Sequence, residues 1–124
     1  MLFRSGEQDF LGKGVCYCAT CDGPLFAKKD VAVIGGGNAA FDAARFLAKF
    51  AGKIYVLEKG KEVSADGAGR EALEQTGKAR IIANARITKI GGDNFVKGIT
   101  YYDAGDPEKK EIILPVAGIF GQSG

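Results

Sequence analysis

Four apolar residues, Val31, Ala32, Val33 and Ile34, run straight into three consecutive glycines, Gly35, Gly36 and Gly37, and from there into an amphipathic stretch. Few folds accommodate that juncture. A short apolar run bounded by glycine reads as a buried strand. Across residues 38–51, Phe41, Ala44, Leu47, Ala48 and Ala51 recur at helical spacing, while Asp42, Arg45 and Lys49 fall on the opposite side. That pattern predicts a helix with one apolar stripe. Phe46 and Phe50 do not both fit the stripe, so either a second element covers the helix there or one ring is exposed. Gly52 reads as the helix cap, and residues 53–57, rich in β-branched and aromatic side chains, as a second strand. Strand, helix and strand in this order form a parallel unit with a right-handed crossover.

Downstream, residues 68–76 read as a short helix ending at Gly77, and residues 79–83 as a third parallel strand. The period then changes. Residues 86–90, 95–102 and 110–114 are three strand-like runs separated by Gly- and Asp-containing turns at 91–94 and 104–107, which predicts an antiparallel meander. A final strand is expected at 117–120, and residues 1–30 read as irregular. The expectation is an α/β fold: a Rossmann-like three-layer domain with a parallel βαβ core plus an antiparallel β-meander, with residues 1–124 forming one unit.

The glycine turn carries chemistry as well as shape. Gly35, Gly37 and Ala40 match the G-x-G-x-x-G/A pattern between a strand and a helix. In that pattern the first glycine allows the tight turn, the second admits a pyrophosphate close to the backbone, and the third small residue lets the helix pack on the strand. Gly36, Asn38 and Ala39 complete the turn and the first helical residues, whose free N–H groups and positive dipole end suit phosphate. The bland reading is a glycine-rich turn. Glu58, at the end of the second strand, stands where a ribose-binding carboxylate belongs. A carboxylate accepts hydrogen bonds from a free ribose 2′-hydroxyl and repels a 2′-phosphate, so NADH is favoured over NADPH. Lys59 and Lys61 in the same loop are a counterweight, read more simply as solvated charges.

Three cysteines, Cys16, Cys18 and Cys21, are the whole complement and sit within six residues of one another. A secreted framework spreads its disulfides along the chain, so this cluster is a local device. Cys18 and Cys21 form a C-x-x-C pair, a spacing suited to reversible dithiol chemistry when local surroundings stabilise a thiolate. Asp22 follows directly. It reads equally as an acid–base group for thiol–disulfide exchange or as a turn or cap residue ahead of Gly23 and Pro24. A competing reading has Cys16, Cys18, Cys21 and Asp22 holding zinc in a nucleotide-binding module without redox cycling, although a second ligand pair is missing from the sequence. Cys16 by itself reads as a small packed residue beside Tyr17.

Composition removes other classes. With no histidine, Ser-His-Asp triads, Cys-His nucleophile pairs and His-ligated metal sites are excluded. A net charge of +2 with interleaved signs offers no basic stripe for nucleic acid. No run approaches the roughly 20 apolar residues of a membrane span, and the N-terminus lacks a secretory signal, so the expected location is cytoplasmic.

The run from Gly6 through Cys18, Ala19, Thr20, Cys21 and Asp22 to Gly23, followed by Val31 through Ala40, resembles the pyridine-nucleotide domain of the low-molecular-weight thioredoxin reductases. The resemblance extends from Gly6 to Phe120. Residues 57–66 depart from it: NADPH-dependent members carry a His-Arg-Arg cluster there, and the Glu58 loop is similar instead to that of the NADH-dependent alkyl hydroperoxide reductase flavoprotein. The resemblance implies that Cys21 faces a flavin, that Cys18 attacks the disulfide of a thioredoxin-like or peroxiredoxin-system partner, and that Asp22 is the acid–base group. It also implies that Gly35 to Ala40 and Glu58 hold the nicotinamide dinucleotide, while FAD is bound by a separate domain whose two halves flank residues 1–124. Rotation of this domain against the FAD-binding domain, about hinge strands at its two ends, would present nicotinamide and disulfide to the flavin in turn. Without that domain, an exposed apolar face is expected to favour a homodimer, and the isolated domain is not expected to turn over.

Overall fold

The computed structural model describes residues 10–35, 37–60 and 67–121. A parallel sheet dominates it. Its five strands, β1 (Val15–Cys16), β2 (Val31–Ile34), β3 (Ile54–Leu57), β4 (Ala79–Ile82) and β8 (Gly118–Phe120), lie in the order β1-β8-β2-β3-β4, and every neighbouring pair is parallel. A second sheet is an antiparallel meander of β5 (Ala85–Gly92), β6 (Val96–Asp103) and β7 (Ile112–Pro115). The helices are α1 (Ala19–Asp22), α2 (Asn38–Leu47) and α3 (Gly67–Glu74), with a 3₁₀ turn over Gly23–Phe26.

Three layers follow from the alternation of side chains along strands buried on both faces. Val31, Val33, Ile54, Val56 and Phe120 point into one core with Phe41, Ala44 and Leu47 of α2 and Leu73 of α3. Ala32, Leu57 and Ile119 point the other way, against Ile87, Ile90, Val96, Ile99 and Leu114 of the meander. The parallel sheet is therefore the middle layer. The Rossmann-like α/β expectation is met, including the parallel β2-α2-β3-β4 core and the meander.

Three expectations are corrected. Residues 10–30 are not wholly irregular: β1 pairs with β8, Val15 opposite Ile119 and Cys16 opposite Phe120. Two residues carry no strand pattern of their own, and this strand exists through its distant partner. The helix expected over 38–51 ends at Leu47, where the Ala48 N–H donates to the carbonyls of Ala44 and Phe46. Gly52 is not its cap and is not in the left-handed region. Instead Lys78 Nζ, from across the sheet, donates to the Ala48 carbonyl at 2.9 Å and the Ala51 carbonyl at 3.1 Å, placing a cation at the helix C-terminus. Gly77 does end the α3 segment, with φ +72° and its N–H on the Glu74 carbonyl.

Phe46 and Phe50 resolve the off-stripe aromatics. Both are half-buried, their ring centroids 5.3 Å apart, and Phe46 approaches Gly23 so closely that a Cβ there would lie 3.1 Å from its ring. The disulfide-bearing segment thus covers a second side of α2. Among the described residues no helix is long and apolar enough to cross a membrane.

These packing roles differ in weight. Phe41, 1% exposed, should lose about 3–5 kcal/mol of stability on replacement by alanine, whereas Phe46→Ala should lose about 1–2 kcal/mol because much of its ring contact is already solvated. Guanidinium unfolding of the two variants measures the difference.

Candidate functional site

Parallel strands bring their carboxyl ends to one edge, and each group singled out in the sequence follows such an end. Gly35 follows β2 and donates its N–H to the Leu57 carbonyl at 2.9 Å. Its φ of +121° is a conformation that side chains with a Cβ rarely adopt, so glycine is required by the turn itself. Gly37 is the N-cap of α2, with extended backbone, no side-chain capping bond, and no acidic residue in the first helical turn. A Cβ built on Gly37 meets nothing within 4 Å, so the turn opens to space above the helix end. Asn38 and Ala39 lie at that opening, and Ala40 is buried against the sheet. Gly36 lies outside the described residues. The helix N-terminus accordingly directs the backbone of its first turn toward an open approach, which fits an anionic pyrophosphate.

Glu58 follows β3, next to β2 in the sheet, and is half-buried. Its Oε1 accepts the Gly60 N–H at 3.0 Å, which orients the carboxylate within its own loop. Lys59 is exposed, and its carbonyl accepts from Arg86 Nη1. The expected group of glycine turn and acidic loop is thus assembled along adjacent strand ends. Lys61 lies outside the described residues.

Cys16 ends β1, and Cys18 and Cys21 follow it. Cys18 and Cys21 are joined as a disulfide, with Cα atoms 5.3 Å apart. Cys18 is half-buried and Cys21 exposed. Cys18 is the N-cap of α1: its Sγ accepts the Cys21 N–H at 3.2 Å. It also lies 3.4 Å from the Thr20 hydroxyl, which must be the donor because a disulfide sulfur carries no hydrogen. Two donors directed at one sulfur favour negative charge there when the bond is reduced. Asp22 makes no side-chain capping bond to the 3₁₀ turn that follows it, so the capping reading does not hold. Its carboxylate lies close enough to act on the Cys16 thiol. Cys16 is buried and free. Burial, and then the nearby Asp22 carboxylate, push its thiol up to about 11. Among the described residues no cluster of three or more Cys, Asp or Glu side chains is arranged to hold a metal.

Strand order explains why these groups meet. From β2 the chain steps outward to β3 and β4 and then returns to place β8 on the other side of β2. A crevice opens at such a reversal, beyond the carboxyl ends of the strands. Here it is a cleft of about 310 Å³, with Tyr17 and Ala19 on the disulfide side, Ala39 and Ala43 on the α2 side, and Phe120 between them. Residues flanking Cys18 and residues of the first two turns of α2 thus face each other across one cleft. Reading the sequence missed Thr20 and Arg86 as parts of the site and missed the influence of Asp22 on Cys16. Thr20 was legible in principle from its position inside C-x-x-C, but the other two depend on packing.

Comparison with known proteins fits this arrangement. Residues 2–118 match the pyridine nucleotide-disulphide oxidoreductase family. The chain is 45% identical over 119 residues to the NADH dehydrogenase of Bacillus subtilis (strain 168), covering 96% of this chain and 23% of that protein. It is 42% identical over 119 residues to the F component of the alkyl hydroperoxide reductase of Staphylococcus aureus (strain MRSA252), again covering 96% of this chain and 23% of that protein. Among solved structures it superposes on T. acidophilum thioredoxin reductase with a TM-score of 0.93 at 32% identity, covering all of this chain and 40% of that one.

The buried thiol has a pH signature. Because Cys16 ionises near its ordinary value of 9.0 when unfolded and at about 11 when folded, the unfolded chain loses this proton first as pH rises. Its contribution is complete below pH 9 and is lost between pH 9 and 11, amounting to about 2–3 kcal/mol. Chemical unfolding across that range should show a steeper alkaline loss in the wild type than in Cys16→Ala by about this amount.

Proposed function

The chain belongs to the pyridine nucleotide-disulphide oxidoreductase family, and from that premise we propose that it is the NAD(P)H-binding and redox-disulfide domain of a thioredoxin reductase-like flavoenzyme. It spans 23% of the length of the curated relatives above and 40% of the solved thioredoxin reductase. On this reading the FAD-binding portion is a separate part of the full-length protein. The observation that carries the proposal is the shared cleft: Tyr17 and Ala19, which flank one sulfur of the C-x-x-C disulfide, on one side, and Ala39 and Ala43 of α2, the helix that Gly37 caps, on the other.

A bound nicotinamide supplies two electrons as a hydride, and a flavin relays such a pair to a disulfide. The chain's own residues do the rest. Gly35 and Gly37 admit the pyrophosphate to the backbone, and the first turn of α2, from Asn38 to Ala40, meets it with N–H donors. Gly36, within the same turn, belongs to this group by its place in the motif. Glu58 accepts from the adenosine ribose 2′-hydroxyl and opposes a 2′-phosphate, which favours NADH, while Lys59 stands at the mouth of the loop. The Cys18–Cys21 disulfide takes up two electrons and two protons to become two thiols. Cys21, the exposed sulfur, faces the flavin. Cys18, with two donors aimed at it, then attacks a partner disulfide as a thiolate, displacing the partner's thiolate, and the mixed disulfide is resolved by Cys21. Asp22 exchanges the protons that these steps release and consume. A thioredoxin-like or peroxiredoxin-system protein is the partner class consistent with relatives named thioredoxin reductase and alkyl hydroperoxide reductase.

Calorimetry on the purified chain tests the nucleotide half. NADH should bind more tightly than NADPH, and Glu58→Ala should weaken NADH by roughly three- to tenfold, the worth of about one hydrogen bond. Thiol titration tests the redox half. Incubation with NADH alone should release no thiol from the Cys18–Cys21 pair, and a small dithiol should release two. Reduction driven by NADH without flavin would sink the assignment of the flavin to another part of the protein.

A further inference from the structure

The carboxylate of Glu58 stands in a loop that is held from outside. Three successive carbonyls after β3 are engaged by three successive residues of the β4–β5 corner. The Glu58 carbonyl accepts from the Ala85 N–H at 2.9 Å, the Lys59 carbonyl from Arg86 Nη1, and the Gly60 carbonyl from the Asn84 N–H at 2.7 Å. The loop closes on itself as well, since the Gly60 N–H donates to Glu58 Oε1 at 3.0 Å. Gly60 therefore links the orientation of the carboxylate to the corner. The corner is itself fixed: Asn84 sits at φ +60°, its Nδ2 donates to Asp103 Oδ1 at 3.1 Å, and its carbonyl accepts the Ala104 N–H at 2.9 Å.

Two of the three straps are backbone to backbone and persist with many side chains. The third is the guanidinium of Arg86, which is half-buried at the start of β5. We propose that Arg86 is a positioning residue for cofactor choice: by holding the Lys59 carbonyl it keeps residues 58–60 in the conformation that presents the Glu58 carboxylate to the ribose. This rests on the reading of Glu58 as the ribose-binding group. Arg86 acts here through the loop and not as a cation for phosphate. The two roles predict opposite changes, because removing a phosphate-binding cation would weaken NADPH most, whereas releasing a misdirected carboxylate would weaken NADH most.

The test is the affinity of the purified chain for NADH and NADPH at one salt concentration, in Arg86→Met, Arg86→Lys and Glu58→Gln. Methionine keeps an apolar stem for packing but no donor, and lysine keeps a donor for the carbonyl. Arg86→Met should weaken NADH roughly three- to tenfold and change NADPH by less than about twofold, narrowing the preference. Arg86→Lys should retain more of the preference than Arg86→Met. A preference that widens in Arg86→Met, stays as in the wild type, or persists because both nucleotides weaken equally overturns the proposal, as does equal loss in the methionine and lysine variants. Glu58→Gln separates the two levels. If it leaves the preference intact, the reading of Glu58 has failed. If it abolishes the preference while Arg86→Met does not narrow it, the role of Arg86 alone has failed.

Discussion

The pairing of β8 between β1 and β2 is the contact on which the rest of the molecule depends. Three residues, Gly118–Phe120, supply the hydrogen-bonding edge for two strands that lie far away in sequence. The fit is close: a Cβ on Gly118 would lie 2.6 Å from the Phe26 ring, which itself packs edge-on against Phe120 with centroids 5.3 Å apart. A glycine here lets the segment that follows the disulfide lie directly on the sheet. β8 is the strand partner of β1, and its pairing, together with the packing of the disulfide segment on α2, brings Cys18 and Cys21 to the same edge as the glycine turn.

That edge collects polar chemistry because parallel strands send all their outgoing turns the same way, and because backbone donors at a helix start are unsatisfied by construction. The meander serves the site from the opposite face. Its buried face fills the second core, and its β4–β5 corner straps the Glu58 loop. Electrostatics divide labour among the cysteines in the same way. Burial and the Asp22 charge keep Cys16 protonated, while the donors converge on Cys18. Three sulfurs within six residues are thereby kept chemically distinct, which limits exchange among them.

Much of this was legible in the residues. The strand at Val31–Ile34, the stripe of Phe41, Ala44 and Leu47, the Gly77 stop and the three runs of the meander follow from periodicity and turn chemistry, which act locally. Gly35, Gly37, Glu58 and the C-x-x-C pair were legible for the same reason, since each announces itself within a few neighbours. What escaped was nonlocal. Gly52 looked like a cap because glycine commonly is one, yet a lysine from across the sheet performs that task. Phe46 looked misplaced on the helix stripe because the disulfide segment that covers it comes from an earlier part of the chain.

By itself, then, the sequence determined which elements form and which residue types stand at their ends, because backbone sterics and hydrophobic period act over a few residues. Only the tertiary structure decided that β8 enters between β1 and β2, that Cys16 meets Asp22, and that Arg86 reaches the carbonyl beside Glu58. Each of these is a contact whose formation depends on how the whole sheet closes, and no local pattern in either partner encodes it.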